Sequence, residues 1–294
     1  MANKPPMQIS DYVQTRMLGP KATNDFILEK VKINQPFFVS RFGGVEGKIV
    51  NSIILKRDQE IEENLRLQAR INAGINPPNR LTIKKFATEA LCAAFKVDLM
   101  AIWNYPAQSE LASYVSCQKY TYLNSIEPLR LYKDETWYPW TRGLEGFNIL
   151  IIHPFVSTIQ KQLDKLTQIH TIAQLWSGDY NFQLYKPAVT FGGENRSLKW
   201  VDELGRMKRE IAKIEFDVAL IGAGAYGMPL GGFIRDIGKK AIHLGGSLQL
   251  LFGIIGARWE RQENYAEMIG YGWVRPSEDE IPKLHHRIDN SSYW

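Results

Sequence analysis

Residues 216–246, FDVALIGAGAYGMPLGGFIRDIGKKAIHLGG, constrain this chain more than any other stretch. Val218 to Ile221 is a short apolar run without helical spacing, the pattern of a parallel strand buried on both faces. Gly222, Gly224 and Gly227 follow as Gly-x-Gly-x-x-Gly. Without Cβ atoms the backbone can turn sharply and come close to a ligand. A helix is expected from about Met228 to Ile237, its free N–H groups and positive dipole end favouring an anion. Gly238 would close it, and Ala241 to Leu244 would begin the next strand. The unit reads as strand, phosphate-binding loop, helix, strand.

A dinucleotide site wants an acidic residue about 20 positions on to hold the ribose hydroxyls. His243, Leu244, Gly245 and Gly246 stand there instead. A nucleoside diphosphate fits the same loop without that acid. The plainer alternative is that the glycines pack a helix onto a sheet and bind nothing.

Two further junctions have the same form. Pro36 introduces a strand, FFVS, that ends at Arg41-Phe42-Gly43-Gly44-Val45-Glu46, with a helix from about Val45. Phe147 to Ile152 reads as a buried strand, followed by His153 to Thr158. The next helix has Ser157 as its N-cap and Ile159, Leu163 and Leu166 on one face. Thr82 to Lys96 and Trp200 to Glu215 read as helices, the second amphipathic through Val201, Leu204, Met207, Ile211 and Ile214. Leu99 to Trp103 and KYTYL at 119–123 read as strands.

The charged run 56–70 suggests an exposed helix with Ile61, Leu65 and Leu67 inward. Trp137, Tyr138 and Trp140 sit on a loop, where aromatic rings either stack on sugars or plug a core. Residues 1–35 read as a polar lead and a short helix capped by Thr23 or Asn24, and 274–294 as a polar tail over the surface. Strand–helix alternation over 36–294 implies one continuous α/β domain, Rossmann-like, with a mostly parallel central sheet. Ligands of such sheets sit at the carboxyl ends of the strands, where the three glycine and proline loops would meet.

A net charge of +5 and a pI near 9.0 suit a protein that meets anions: nucleotide phosphates, an acidic membrane face or nucleic acid. Lys and Arg are dispersed with no polybasic run, which disfavours nucleic acid. Cys92 and Cys117 are too few for a disulfide scaffold or a four-cysteine zinc site, and Cys92 in ALCAAF reads as buried packing. MANKPPMQIS lacks the apolar core of a signal peptide. The longest uncharged stretch, 218–234, holds five glycines and Pro229 and reads as the loop, not a membrane span. A reducing, cytoplasmic location is expected, with peripheral contact at the membrane surface left open.

SRFGGVEG at 40–47, IIHPFVSTIQKQ at 151–162 and DVALIGAGAYGMPLGGFIRDIGKKAIHLGGSLQLLFGIIGARWE at 217–260 together resemble the GT-D type glycosyltransferases of polysaccharide, capsule and glycan biosynthesis. The subgroup most like it carries an Arg-x-Gly-x-x-Glu motif, matched by Arg41, Gly43 and Glu46. The resemblance covers most of 36–294. It implies a Rossmann-like three-layer fold and transfer of a sugar from a nucleotide-diphosphate donor to a hydroxyl of a glycan or lipid-linked acceptor. Better-known members carry Asp-x-Glu in the loop after the first strand, which helps hold a divalent metal and the donor diphosphate. Here Gly44 takes the Asp position, so Mn2+ or Mg2+ dependence rests on Glu46 and stays open. The one Asp-x-Glu, Asp58 and Glu60, reads as solvated surface, because residues two apart on a helix face different ways.

Negative charge develops on a departing diphosphate and calls for fixed donors or cations. Arg41, the Gly222–Gly227 N–H groups, the helix start near Met228 and His243 would supply them. Glu46 is the leading base for an acceptor hydroxyl, ahead of Glu194 and Asp236. Its alternative is a structural ion pair with Arg41. Catalytic roles thus fall on Glu46 and Arg41. Nucleotide contacts fall on Gly43, Gly44, Ser157, Thr158, Gly222, Gly224, Tyr226, Gly227, His243, Gly245 and Gly246. His153 reads as ordering its loop, since no second ligand stands at metal spacing from it. A nucleotide-binding module without transfer activity and an NAD-linked oxidoreductase are the competing functions.

Overall fold

A computed structural model describes residues 9–55, 61–103, 106–131, 137–170, 174–288 and 291–294. Among them eight strands form one sheet: β1 (Met17–Leu18), β2 (Phe38–Arg41), β3 (Leu99–Ile102), β4 (Lys119–Tyr122), β5 (Asn148–Ile152), β6 (Asn181–Tyr185), β7 (Val218–Ile221) and β8 (Lys240–His243). Their order is β1-β4-β3-β2-β8-β7-β5-β6, and every neighbouring pair is parallel. The expected α/β architecture is the one observed. The apolar runs VALI and NILII lie inside the sheet, each flanked by strands on both sides, and an interior parallel strand is covered on both faces.

The helices divide by the direction in which the chain moves along the sheet. Connections β2→β3, β3→β4, β6→β7 and β7→β8 all step toward the β1 edge. Their buried side chains, such as Phe86, Leu111, Met207 and Ile234, belong to one core cluster. Connections β1→β2, β4→β5 and β5→β6 step the other way, and Ile27, Trp140 and Ile159 fill the opposite cluster. A uniformly right-handed crossover requires this division. The result is a three-layer sandwich.

The sequence expectations differ from the structure in places. The lead over 1–35 supplies β1, an outer strand of the same sheet, and the helix Pro20–Lys32 capped by Gly19. Thr23 and Asn24 are buried inside that helix: Thr23 shares a hydroxyl contact of 2.7 Å with Thr121, and Asn24 bonds Tyr138 O and Trp140 N. β6 was not expected; its side chains are only half-buried at the sheet edge, so no apolar run marks it. Leu67 is exposed, as is Cys92, which points away from the face that buries Ala90, Ala93 and Ala94. Trp140 is fully buried and its Nε1 donates to Ile126 O, so it plugs a core. Asp58 and Glu60 lie outside the described residues.

Candidate functional site

Side by side at the centre of the sheet run β2, β8, β7 and β5. Their carboxyl ends carry Arg41, His243 with Gly245, Gly222 and His153, in that order across the sheet. These four ends floor a cleft of about 380 Å³, whose lining includes Arg41, Gly43, Gly44, Glu46, His153, Gly222, Gly224, His243, Gly245 and Gly246. All three expected loops therefore meet at one edge. Among the described residues the lining holds Arg41, Lys48 and Arg258 and one acidic side chain, Glu46, an excess of positive charge that suits an anion.

Arg41 closes β2 and lies against Gly245, whose φ of +66° is left-handed. A Cβ at Gly245 would stand 2.7 Å from Arg41 Nη2 and 2.8 Å from Nε, so only glycine leaves the guanidinium this place. Beyond it the Trp103 ring centroid lies 5.6 Å from Cζ. Nε is buried without a hydrogen-bond partner, and among the described residues no carboxylate pairs with this guanidinium. The structural Arg41–Glu46 ion pair is not formed. An unpaired cation held at a cleft floor is costly unless an anion arrives to meet it.

Glu46 occupies the third position of the helix Gly44–Val50, and its carboxylate folds back over the N-cap, Gly43. A side chain at Gly43 would collide with it, the carboxyl carbon being 2.6 Å from the Cβ site. A carboxylate reaching back over its own helix start is half of a capping box and is favoured by the helix dipole. Glu194 and Asp236 are elsewhere: Glu194 accepts from Lys283 N–H, and Asp236 pairs with Lys96 on the surface.

His243 is buried, with Nδ1 3.0 Å from Ser40 Oγ and its ring edge against Gly227. Burial first, then the charge of Arg41, pushes its pKa down to about 3, so the ring is neutral at physiological pH. In the glycine motif, Gly222 and Gly227 make room for His153 and His243. Gly224 differs: φ is +52° and a Cβ would meet nothing nearer than Ala73 O at 3.8 Å, so its α-carbon faces open space. Gly246 carries the Tyr293 ring.

Four expected contacts lie apart from the cleft: Gly227, packed against the His243 ring, Tyr226, Ser157 and Thr158. Tyr226 stacks on Trp200 at 5.5 Å with its hydroxyl 3.2 Å from Thr190 Oγ1. The helix Val156–Gln162 is capped by Phe155, not Ser157, and its N-terminal donors are already used. Glu280 accepts from Ser157 N–H at 2.7 Å and from Thr158 N–H at 3.1 Å, and the Thr158 hydroxyl donates to it as well. A carboxylate thus stands where Ser157 and Thr158 would have met a phosphate. Glu280 belongs to the tail, which does not lie loosely over the surface. Trp294 Nε1 donates to Glu280 O, and Tyr293 and Trp294 line the cleft beside Phe155.

Sequence reasoning did not single out Trp103, Phe191, Arg258, Tyr293 or Trp294, all of which line the cleft. The aromatic pair in an otherwise polar SSYW tail was the one available signal. Among the described residues no group of three or more His, Cys, Asp or Glu side chains comes together. A magnesium-like ion held by one carboxylate takes its remaining ligands from substrate phosphates and water. Glu46 fits such an ion only in company with a bound diphosphate. Comparison with models of known families, with curated proteins and with solved structures finds no match.

Proposed function

We propose that this chain is a glycosyltransferase that moves a sugar from a nucleotide-diphosphate donor to a hydroxyl of a glycan or lipid-linked acceptor. The observation that carries this reading is Arg41, an unpaired guanidinium fixed between Gly245 and Trp103 at the carboxyl edge of a parallel sheet. Beside it lie the Gly222–Gly227 loop and a partly aromatic cleft wall. The charged end suits a diphosphate, and the aromatic wall suits a flat base or a sugar face.

In this reaction the acceptor oxygen attacks the anomeric carbon, and the bond from that carbon to the diphosphate oxygen breaks. The electron pair leaves with the diphosphate, where Arg41 and the loop N–H groups offset the growing charge. The acceptor proton passes to the Glu46 carboxylate, which first turns away from Gly43. In the alternative role, Glu46 would help hold Mn2+ or Mg2+, which would supply further positive charge against the departing diphosphate. Among the described residues no helix is long and apolar enough to cross a membrane. On this reading a lipid-linked acceptor is met at the membrane surface, from the cytoplasmic side.

One observation favours a second reading, a nucleotide-binding module without transfer activity. The Glu46 carboxylate is engaged with its own helix start, and Gly44 offers no second acid. The experiment that tests both is a thermal-stability panel of nucleoside diphosphates and nucleotide sugars, with and without manganese, followed by assays of transfer and donor hydrolysis. A ligand at 100 times its dissociation constant adds about 2.7 kcal/mol. Stabilisation without turnover supports the module. No stabilisation by any member of the panel overturns both readings.

A further inference from the structure

His153 ends the run of donors along the cleft floor, three strands across from Arg41, and its two ring nitrogens are used unequally. Nδ1 accepts the Phe155 N–H at 3.1 Å. A neutral imidazole that accepts at one nitrogen carries its proton on the other, so Nε2 is an N–H donor. That N–H meets no acceptor among the described residues, although the residue is only 2% exposed and lines the cleft. Most of the ring is buried, so this free N–H opens on the cleft and is placed to meet a ligand there.

Gly222 points the same way. Its backbone is not in the left-handed region, so no turn demands glycine there. A Cβ would instead strike the His153 ring, 2.6 Å from Cδ2 and 3.2 Å from Nε2, and Gly245 O at 2.7 Å. The missing side chain lets the ring seat against the loop with its Nε2 edge uncovered.

We propose that His153 Nε2–H is a ligand-binding donor to the diphosphate, the uncharged counterpart of Arg41 across the glycine floor. This rests on the reading of the cleft as a diphosphate site. Burial holds the His153 pKa down to about 3, so the ring gives a hydrogen bond without adding charge. A diphosphate bound here is gripped by a cation at one end and a neutral dipole at the other, which also fixes its direction in the cleft.

The test uses the full chain with pyrophosphate and UDP as probes. His153→Asn keeps an acceptor for the Phe155 N–H and loses the distal donor; His153→Gln restores a distal N–H. Calorimetry should show His153→Asn weaker for both probes by about 10-fold or more, as expected for a hydrogen bond to a charged group. His153→Gln should recover most of that loss. In 15N-histidine-labelled wild type, the Nε2–H signal should move downfield and become protected from exchange when pyrophosphate is added. That measurement decides the matter if either variant fails to fold. An unmoved signal, or a His153→Asn that binds as wild type, overturns the assignment and leaves the diphosphate reading standing. Failure of wild type to bind either probe overturns both.

Discussion

Replacing Gly245 by alanine should separate the place of Arg41 from the stability of the loop that holds it. The new Cβ would lie 2.7–2.9 Å from Arg41 Nη2, Nε and Cζ. Ordinary contact distances are about 3.5–4.0 Å, so the guanidinium must retreat by roughly 0.8 Å. A charge-assisted bond near 2.8 Å then stretches to about 3.6 Å, beyond hydrogen-bonding range. Hydrogen bonds to charged groups contribute about 1.5–3 kcal/mol, equivalent to a 10- to 150-fold loss in affinity for UDP. The left-handed backbone at +66° adds about 1–2 kcal/mol of strain that has nothing to do with Arg41. Gly238→Ala supplies that strain alone, because Gly238 has φ +81° and open space where its Cβ would go. Both variants should melt about 2–8 °C lower. Only Gly245→Ala should lose UDP affinity by calorimetry. If the two variants bind UDP equally well, Arg41 does not hold the diphosphate.

Glu46→Gln should leave donor affinity near wild type while transfer falls by about 10²–10⁴-fold; a wild-type transfer rate would reduce Glu46 to a helix cap. Gly224→Val should abolish donor binding by filling the open space at that α-carbon, and undiminished binding would leave the glycine loop to packing. Glu280→Ala strips the acceptor from two N–H groups at a helix start and should cost about 3 kcal/mol in urea unfolding; a loss under about 0.5 kcal/mol would contradict that role. His153 and His243, held to pKa values of about 3, and His170, held to about 4, are neutral when folded and protonate near 6.5 when unfolded. The unfolded chain thus binds more protons between these values, so stability falls as pH drops. From pH 7 to pH 5 each histidine should remove about 2 kcal/mol, and His153→Asn should remove one share of that slope.

The central strands were legible because each is a short apolar run between turn residues, and burial on both faces leaves that mark in VALI and NILII. β1 and β6 carry no such mark: one is two residues long and the other is a half-buried edge. The glycines were visible, but their separate duties were not. Gly222 and Gly227 answer to two histidines, one of them 69 positions earlier in the numbering, and Gly245 to an arginine on a different strand. The Ser157–Thr158 loop looked like a phosphate site by every local criterion. Its occupant, Glu280, lies 122 residues beyond Thr158, a pairing that no local pattern encodes.

The position of Arg41 also sets a timetable for synthesis. β2 forms its ladder with β8, and the Ser40–His243 contact joins residues 203 positions apart. At translation rates of about 5–20 residues per second, β2 waits roughly 10–40 seconds for that neighbour to emerge. In the interval β2 can pair with β3 and β4, but its other edge stays bare, a row of unpaired backbone groups flanked by apolar side chains. A ribosome stalled before residue 240 would display that edge to any other strand in reach. Chaperone dependence should therefore fall sharply once β8 clears the exit tunnel, and nascent chains cut before and after that point should differ in aggregation far more than their lengths suggest.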